Sequence, residues 1–76
     1  MALYVRPRVV CALSGLAYRT VIRELKRMEI ETKTRPGSML KFYNLCQIAE
    51  VMGRTWPNET IAMAIARHDK PAAIEN

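Results

Sequence analysis

The sequence has few of the residues that metal sites, disulfide frameworks and membrane helices require. It contains one histidine, His68, and two cysteines, Cys11 and Cys46, without C-x-x-C spacing, so no zinc ligand set is present. One disulfide is possible, but two buried reduced thiols in a cytosolic protein are the expectation. No apolar run reaches the ~20 residues of a membrane span, and cleaving the apolar start as a signal peptide would leave too little to fold. We therefore expect a cytoplasmic protein without cofactor or metal.

Acidic residues are also scarce, above all in the first part of the chain. The formal net charge is +5, and residues 1–43 hold nine Lys/Arg against three Glu, whereas residues 44–76 hold three against four acids. Basicity concentrated in one part of a molecule favours a surface that faces a polyanion. A solvated basic face is the alternative that charge alone leaves open.

The chain lacks a recognisable catalytic set. The acids of the first part, Glu24, Glu29 and Glu31, lie among cations, and His68 has no nucleophile near it in sequence. General acid–base or nucleophilic catalysis needs such groups paired in position. The sequence therefore predicts that the protein is not an enzyme and has no small-molecule substrate.

Two short helices joined by a glycine bend are predicted near the N-terminus. Pro7 suits a first helical turn and Gly15 a left-handed helix end, which places the first helix at about residues 7–14. The second helix, about 18–28, has apolar residues at i, i+4 and i+7 and cations opposite. Ala17 precedes it where a capping side chain would stand, so this helix should begin weakly. The pair matches a helix-turn-helix pattern.

A β-hairpin and two further helices are predicted downstream. Residues 29–43 alternate in the manner of strands around Pro36-Gly37, which fits the centre of a type II turn, with the return strand over Met39–Tyr43. Asn44 with Gln47 forms a reciprocal capping pair at the start of a third helix that Gly53 ends. A fourth helix, about 58–67, is apolar nearly all round.

Three stretches together resemble the winged helix-turn-helix of the MerR-like group, which includes phage and mobile-element excisionases. They are ALSGLAYRT (12–20), RPGSMLKFY (35–43) and NLCQIAEVM (44–52). Ala17 replaces the capping Ser or Thr of the family pattern, and Met28-Glu29 stands where a glycine often leads into the wing. No effector domain or long coiled-coil helix follows, so a small accessory factor is expected rather than a metal- or drug-sensing regulator.

The resemblance implies which residues meet double-stranded DNA. The second helix would enter the major groove and the hairpin would act as the wing. The recognition-helix candidates are Tyr18, Arg19, Thr20, Arg23, Lys26 and Arg27. The wing candidates are Lys33, Arg35, Ser38 and Lys41, and Arg6 and Arg8 are candidates for a clamp on the DNA backbone. Pairing of Arg23 and Arg27 with neighbouring residues on a solvated face, such as Arg27 with Glu24, is the alternative for these two arginines. Tyr18 and Phe42 are alternatively residues at the edge of the core.

The expected fold is mainly α with a small β-hairpin, a winged helix-turn-helix (α-α-β-β-α) plus a C-terminal helix. Within a single domain, residues 1–55 would form the DNA-binding core, 56–68 a helix that packs on the core or on another copy, and 69–76 a flexible tail. Exposed apolar surface on the fourth helix favours self-association. The candidates for this contact are Ile61, Met63 and Ile65.

The predicted function is a small sequence-specific DNA-binding and bending protein of the nucleoid. The resemblance favours a phage or prophage excisionase that directs an integrase towards excision. A small phage transcription regulator is the main alternative, and one protein could do both. A packaging-type DNA-recognition domain and a basic protein-interaction module are further alternatives.

Overall fold

The computed structural model describes residues 2–68 and 73–75, which form a small mixed α/β fold. Four helices and four strands occur among these residues, in the order β1 Leu3–Val5, α1 Pro7–Ser14, α2 Tyr18–Arg27, β2 Thr32–Lys33, β3 Phe42–Asn44, α3 Leu45–Met52, α4 Asn58–Ala66 and β4 Ala73–Glu75. The predicted helices and hairpin are confirmed. The sheet is larger than predicted, because β1 and β4 join the hairpin.

Helices α1 and α2 follow the sequence signals closely. Pro7 begins α1, and Gly15 ends it with φ 78° while its N–H donates to the carbonyl of Cys11 at 2.9 Å. Ala17 has an extended backbone and offers no capping side chain, so α2 begins without a side-chain cap as predicted. Beyond α2 the chain turns at Glu29, which has a left-handed φ of 53°. This residue lies where the family pattern often places a glycine.

The strands form one antiparallel sheet, within the described residues, in the order β2-β3-β1-β4. Strand β1 pairs with β3 on one side and with β4 on the other. Strand β1 was not predicted, because its three residues are too few to show an alternating pattern. Residues 73–75 were expected to lie in a flexible tail, but they pair with β1; residues 69–72 and 76 of that tail lie outside the described residues.

The hairpin is shorter at its strands and longer at its loop than the sequence predicted. The turn is confirmed: Ser38 N–H donates to the Arg35 carbonyl at 3.0 Å, and Gly37 has φ 78°. The return strand, however, starts at Phe42 instead of Met39. The reason is local, because the Ser38 hydroxyl accepts a hydrogen bond from the Leu40 N–H at 3.2 Å and so holds this segment in a second turn.

Only half of the predicted reciprocal cap forms at α3. The Asn44 side-chain oxygen accepts from the Gln47 N–H at 3.1 Å, as predicted. The Gln47 side chain does not return the bond; it accepts from the Glu31 N–H at 2.7 Å. The Asn44 N–H instead donates to the Glu31 carbonyl at 3.0 Å, so the chain entering β2 takes the place of the second half of the capping box.

The main core lies between the helices and one face of the sheet. Its buried members are Val5, Val9, Val10, Leu13, Val21, Leu25, Ile30, Leu45, Ile48 and Ala64. Helix α4 adds Ala64 to this core, and α1 is the helix it packs against. Both cysteines are free, but only Cys11 is partly buried; Cys46 is exposed, so the expectation of two buried thiols is wrong for Cys46. It lies beside Leu45 on α3, outside the buried stripe of that helix.

Candidate nucleic-acid interface

One exposed stripe of α2 carries three cations. Arg19, Arg23 and Lys26 follow each other at i, i+4 and i+7, which places them on one side of a helix. All three are exposed, whereas Val21 and Leu25 on the opposite side are buried. The stripe therefore projects from the core with its cations towards solvent.

Arg27 does not join this stripe as a free cation. Its guanidinium donates to the Glu24 carboxylate, with Nη2 to Oε1 at 2.6 Å. The hydrogen bond from Arg27 lowers the pKa of Glu24. The structure thus shows the alternative for Arg27, in which it pairs with Glu24. Arg23 Nε lies 3.9 Å from the same carboxylate, and the Arg23 side chain is largely exposed.

Arg8 connects α1 to the start of α2. Its guanidinium carbon lies 4.7 Å from the centroid of the Tyr18 ring, within the range of a cation–π contact. Tyr18 is 43% exposed, so it is not a residue of the core edge. The first residue of α2 and the first turn of α1 therefore form one aromatic and basic contact. Thr20 is half-buried.

A second junction joins α1 to the hairpin through Phe42. The guanidinium carbons of Arg6 and Arg35 lie 5.7 and 5.8 Å from the centroid of this ring. Arg6 also donates a hydrogen bond to the carbonyl of Lys41. Phe42 is fully buried yet lies outside the main core cluster. The ring therefore anchors the base of the hairpin loop under basic side chains.

Lys33 belongs to a third contact on the same side of the sheet. Its Nζ lies 5.3 Å from the Tyr4 ring centroid. The Tyr4 hydroxyl and the Asn44 amide each donate to Glu31 Oε1 at 3.0 Å. The hydrogen bonds from Asn44 and Tyr4 lower the pKa of Glu31, and the bond to Glu31 raises the pKa of Tyr4. Glu31 thus ties β1, β2 and β3 together at the foot of the hairpin.

The other candidate cations have no acidic partner among the described side chains. The salt bridges found there both involve Glu24. The cations that remain without a carboxylate are Arg6, Arg8, Arg19, Lys26, Lys33, Arg35 and Lys41. They lie in β2, in the hairpin loop, at the start of α1 and in α2.

The hairpin loop also exposes two apolar residues that the sequence analysis did not single out. Met39 is 96% exposed and Leu40 44% exposed. Their position next to the Pro-Gly turn could have indicated exposed loop residues. Both were instead predicted to lie in the return strand, which begins only at Phe42. Ser38 is half-buried and uses its hydroxyl for the Leu40 N–H.

The candidates for self-association are divided between the core and the surface. Ile61 and Ile65 are partly buried and pack against the core, whereas Met63 is 58% exposed. Trp56 also packs against the core, with Arg54 over its ring at 5.4 Å. Of the three candidates, Met63 is therefore the one that offers substantial apolar surface to another copy.

Comparisons with protein-family models, with curated proteins and with solved structures found no match. In the described part of the chain, no cluster of three His, Cys, Asp or Glu residues is placed to hold a metal ion. No helix there has the length and apolar character needed to cross a bilayer.

Proposed function

We propose that this protein is a small winged helix-turn-helix factor that binds and bends double-stranded DNA, acting as an excisionase that directs an integrase towards excision. In this proposal α2 is the recognition helix, the β2–β3 hairpin is the wing, and the Gly15 bend is the turn between helices. The protein performs no chemistry itself.

One observation carries the proposal: basic side chains at the start of α1 contact aromatic rings of both α2 and the hairpin. Arg8 contacts Tyr18 at the start of α2, and Arg6 shares the Phe42 ring with Arg35 of the loop. Arg6 and Arg8 are two residues apart at the beginning of α1. Neighbouring grooves of a duplex are separated by a phosphate backbone. In this proposal Arg6 and Arg8 contact the phosphates between the groove that α2 enters and the groove that the wing enters.

The stripe on α2 is suited to the major groove. Arg19 and Arg23 can offer two parallel N–H groups to the O6/N7 edge of guanine, a contact worth ~1–3 kcal/mol of discrimination. Lys26 lies a turn later and would meet a phosphate. Arg27 contributes less in this scheme, since its guanidinium is already bonded to Glu24.

The wing is suited to the minor groove. A narrow minor groove concentrates negative potential and attracts arginine, and Arg35 precedes the Pro-Gly turn with no carboxylate partner among the described side chains. Engaging both grooves from one rigid domain favours a bent duplex, and bending a short site costs on the order of 1–6 kcal/mol. Contacts between copies through Met63 would add to the binding energy that offsets this cost.

The test of the proposal compares DNA from around the protein's own gene with random DNA of equal length in a mobility-shift titration. We expect tighter binding to the genomic DNA, with a steep dependence on salt. Arg19→Ala should weaken this binding, whereas Arg67→Ala, an exposed arginine at the end of α4, serves as the matched control. Equal weak binding to both DNAs would overturn sequence-specific recognition.

The excision role needs its own measurement. A recombinase encoded beside this protein's gene should convert integrated DNA to excised product faster when the protein is present. Specific DNA binding without any effect on excision would favour the transcription-regulator alternative, for which the same surface suffices.

A further inference from the structure

We propose that Met39, at the tip of the hairpin loop, is a wedge that inserts between base pairs from the minor groove and kinks the duplex. The inference rests on the proposed DNA-binding function and deepens it, because it names the residue that causes the bend and the step at which the bend occurs.

The first support is the exposure of Met39. The side chain is 96% exposed and its neighbour Leu40 is 44% exposed. Burying a methionine side chain is favourable, and this gain is unused in the free protein. Two side chains make too small a patch for a stable protein interface, but one apolar side chain is enough to enter a base step.

The second support is the geometry of the loop that presents Met39. Two consecutive turns hold it, one closed by the Ser38 N–H to Arg35 carbonyl bond at 3.0 Å and the other by the Leu40 N–H to Ser38 hydroxyl bond at 3.2 Å. Below the tip, Arg6 bonds the Lys41 carbonyl, and Phe42 is fully buried. A loop anchored in this way loses little backbone freedom when its side chain inserts.

The third support is the charge around the tip. Arg35 and Lys41 flank Met39 in sequence, and neither has a carboxylate partner among the described side chains. This arrangement matches the minor groove of a duplex, where the cations would meet the phosphates on either side and the apolar side chain would meet the stacked bases between them. Methionine is among the side chains that minor-groove proteins insert between base steps, producing kinks of about 20–90°.

The experiment uses the full chain and a short duplex of alternating TA steps, which unstack readily. Some adenines are replaced by 2-aminopurine, whose fluorescence rises on unstacking, and dyes at the two ends report the bend by energy transfer. We expect the wild-type protein to raise both signals. Met39→Ala should lose most of both, whereas Val51→Ala, at an exposed apolar residue of α3 outside the candidate contacts, should keep them.

Affinity and salt dependence separate the wedge from general binding. Met39→Ala should lower affinity by no more than about tenfold, because the burial it loses is offset by the unstacking it avoids. Its dependence on salt should match that of the wild type, since no charge is removed. Met39→Leu should restore unstacking and bending.

Two results would overturn the wedge while leaving DNA binding intact. One is a Met39→Ala variant that unstacks and bends the duplex like the wild type. The other is a variant that changes only self-association, which would assign the tip to protein contacts. A wild-type protein that binds no DNA at low salt would instead remove the proposed function itself, and the wedge with it.

Discussion

At the scale of single residues, the three acids in the basic part of the chain decide how much positive charge remains for a partner. Glu24 pairs with Arg27, and Glu31 accepts from Tyr4 and Asn44. Glu29 is exposed at the left-handed turn after α2. Only one of the three therefore forms a close ion pair with a candidate DNA contact, which leaves the α2 stripe and the hairpin loop basic.

Glu31 should make stability depend on pH. The hydrogen bonds from Asn44 and Tyr4 lower the pKa of Glu31 in the folded state. The ionised carboxylate therefore adds to the free energy of unfolding at pH values above its ordinary pKa of 4.5. This stabilisation is lost as the pH falls through the lower pKa of the folded state. Urea unfolding followed between neutral and acidic pH should show this loss, and Glu31→Gln should reduce the pH dependence. Glu50→Gln, on the exposed side of α3, is the control; an equal effect there would contradict the assignment.

Arg19→Ala should change selectivity more than overall affinity. If its guanidinium reads a guanine, binding to the preferred site should fall by ~1–3 kcal/mol, with the loss confined to one base position. A set of single-base variants of the site, titrated with wild type and mutant, measures this. Arg27→Ala is the comparison, and we expect a smaller loss because Arg27 is bonded to Glu24. Uniform loss across all sequences would mean that Arg19 contacts only phosphate.

At the scale of elements, the sequence predicted what short-range chemistry determines. Pro7 and Gly15 bound α1, and Pro36-Gly37 marks the loop turn, because proline fixes its own φ and glycine tolerates the positive φ found at these positions. Strands β1 and β4 depend on pairing between distant segments, which no local pattern encodes. The Glu31–Gln47 bond that replaced the predicted reciprocal cap is likewise a contact across sixteen residues of sequence.

Ala17→Ser should stabilise the protein. The backbone of Ala17 is already extended (φ −67°, ψ 151°), as an N-cap requires, but its side chain cannot accept a hydrogen bond. Loss of a serine cap typically costs 0.5–2 kcal/mol, so its gain here should add roughly 1 kcal/mol of unfolding free energy. Urea denaturation measures the change. Ala17→Val is the control, because valine has no side-chain acceptor and is as poor an N-cap as alanine; equal effects of both variants would show that no cap hydrogen bond forms.

Lys41→Ala tests the hairpin loop as a DNA-contacting element. If Lys41 neutralises a phosphate, the slope of log K against log salt should fall by about 0.9. The Lys41 carbonyl, which accepts from Arg6, is retained in the variant, so the loop anchor is preserved. Arg67→Ala is the control of equal charge change. An unchanged slope for Lys41→Ala would remove this residue from the contact surface.

At the scale of the whole molecule, residues after 55 pack on the same core as the predicted DNA-binding segment 1–55. Helix α4 supplies Ala64 to the main core, and Ile61 and Ile65 pack against it. Strand β4 pairs with β1, which in turn pairs with the hairpin strand β3. The candidate DNA surface is therefore mounted on a core that residues after 55 help to complete.

Two truncations separate stability from DNA contact. Removing residues 69–76 takes away β4 but none of the candidate contacts, which all lie within residues 6–41. We expect a folded protein that is about 1–3 kcal/mol less stable, with a salt slope changed by less than that of Lys41→Ala. Trp56 fluorescence measures unfolding, because this single tryptophan packs against the core.

Residues 1–55 alone also lose α4, and we expect them not to fold, as measured by circular dichroism. A stable, DNA-binding 1–55 fragment would contradict this view, since it would show that α4 and β4 are dispensable for the core on which α2 and the hairpin are held.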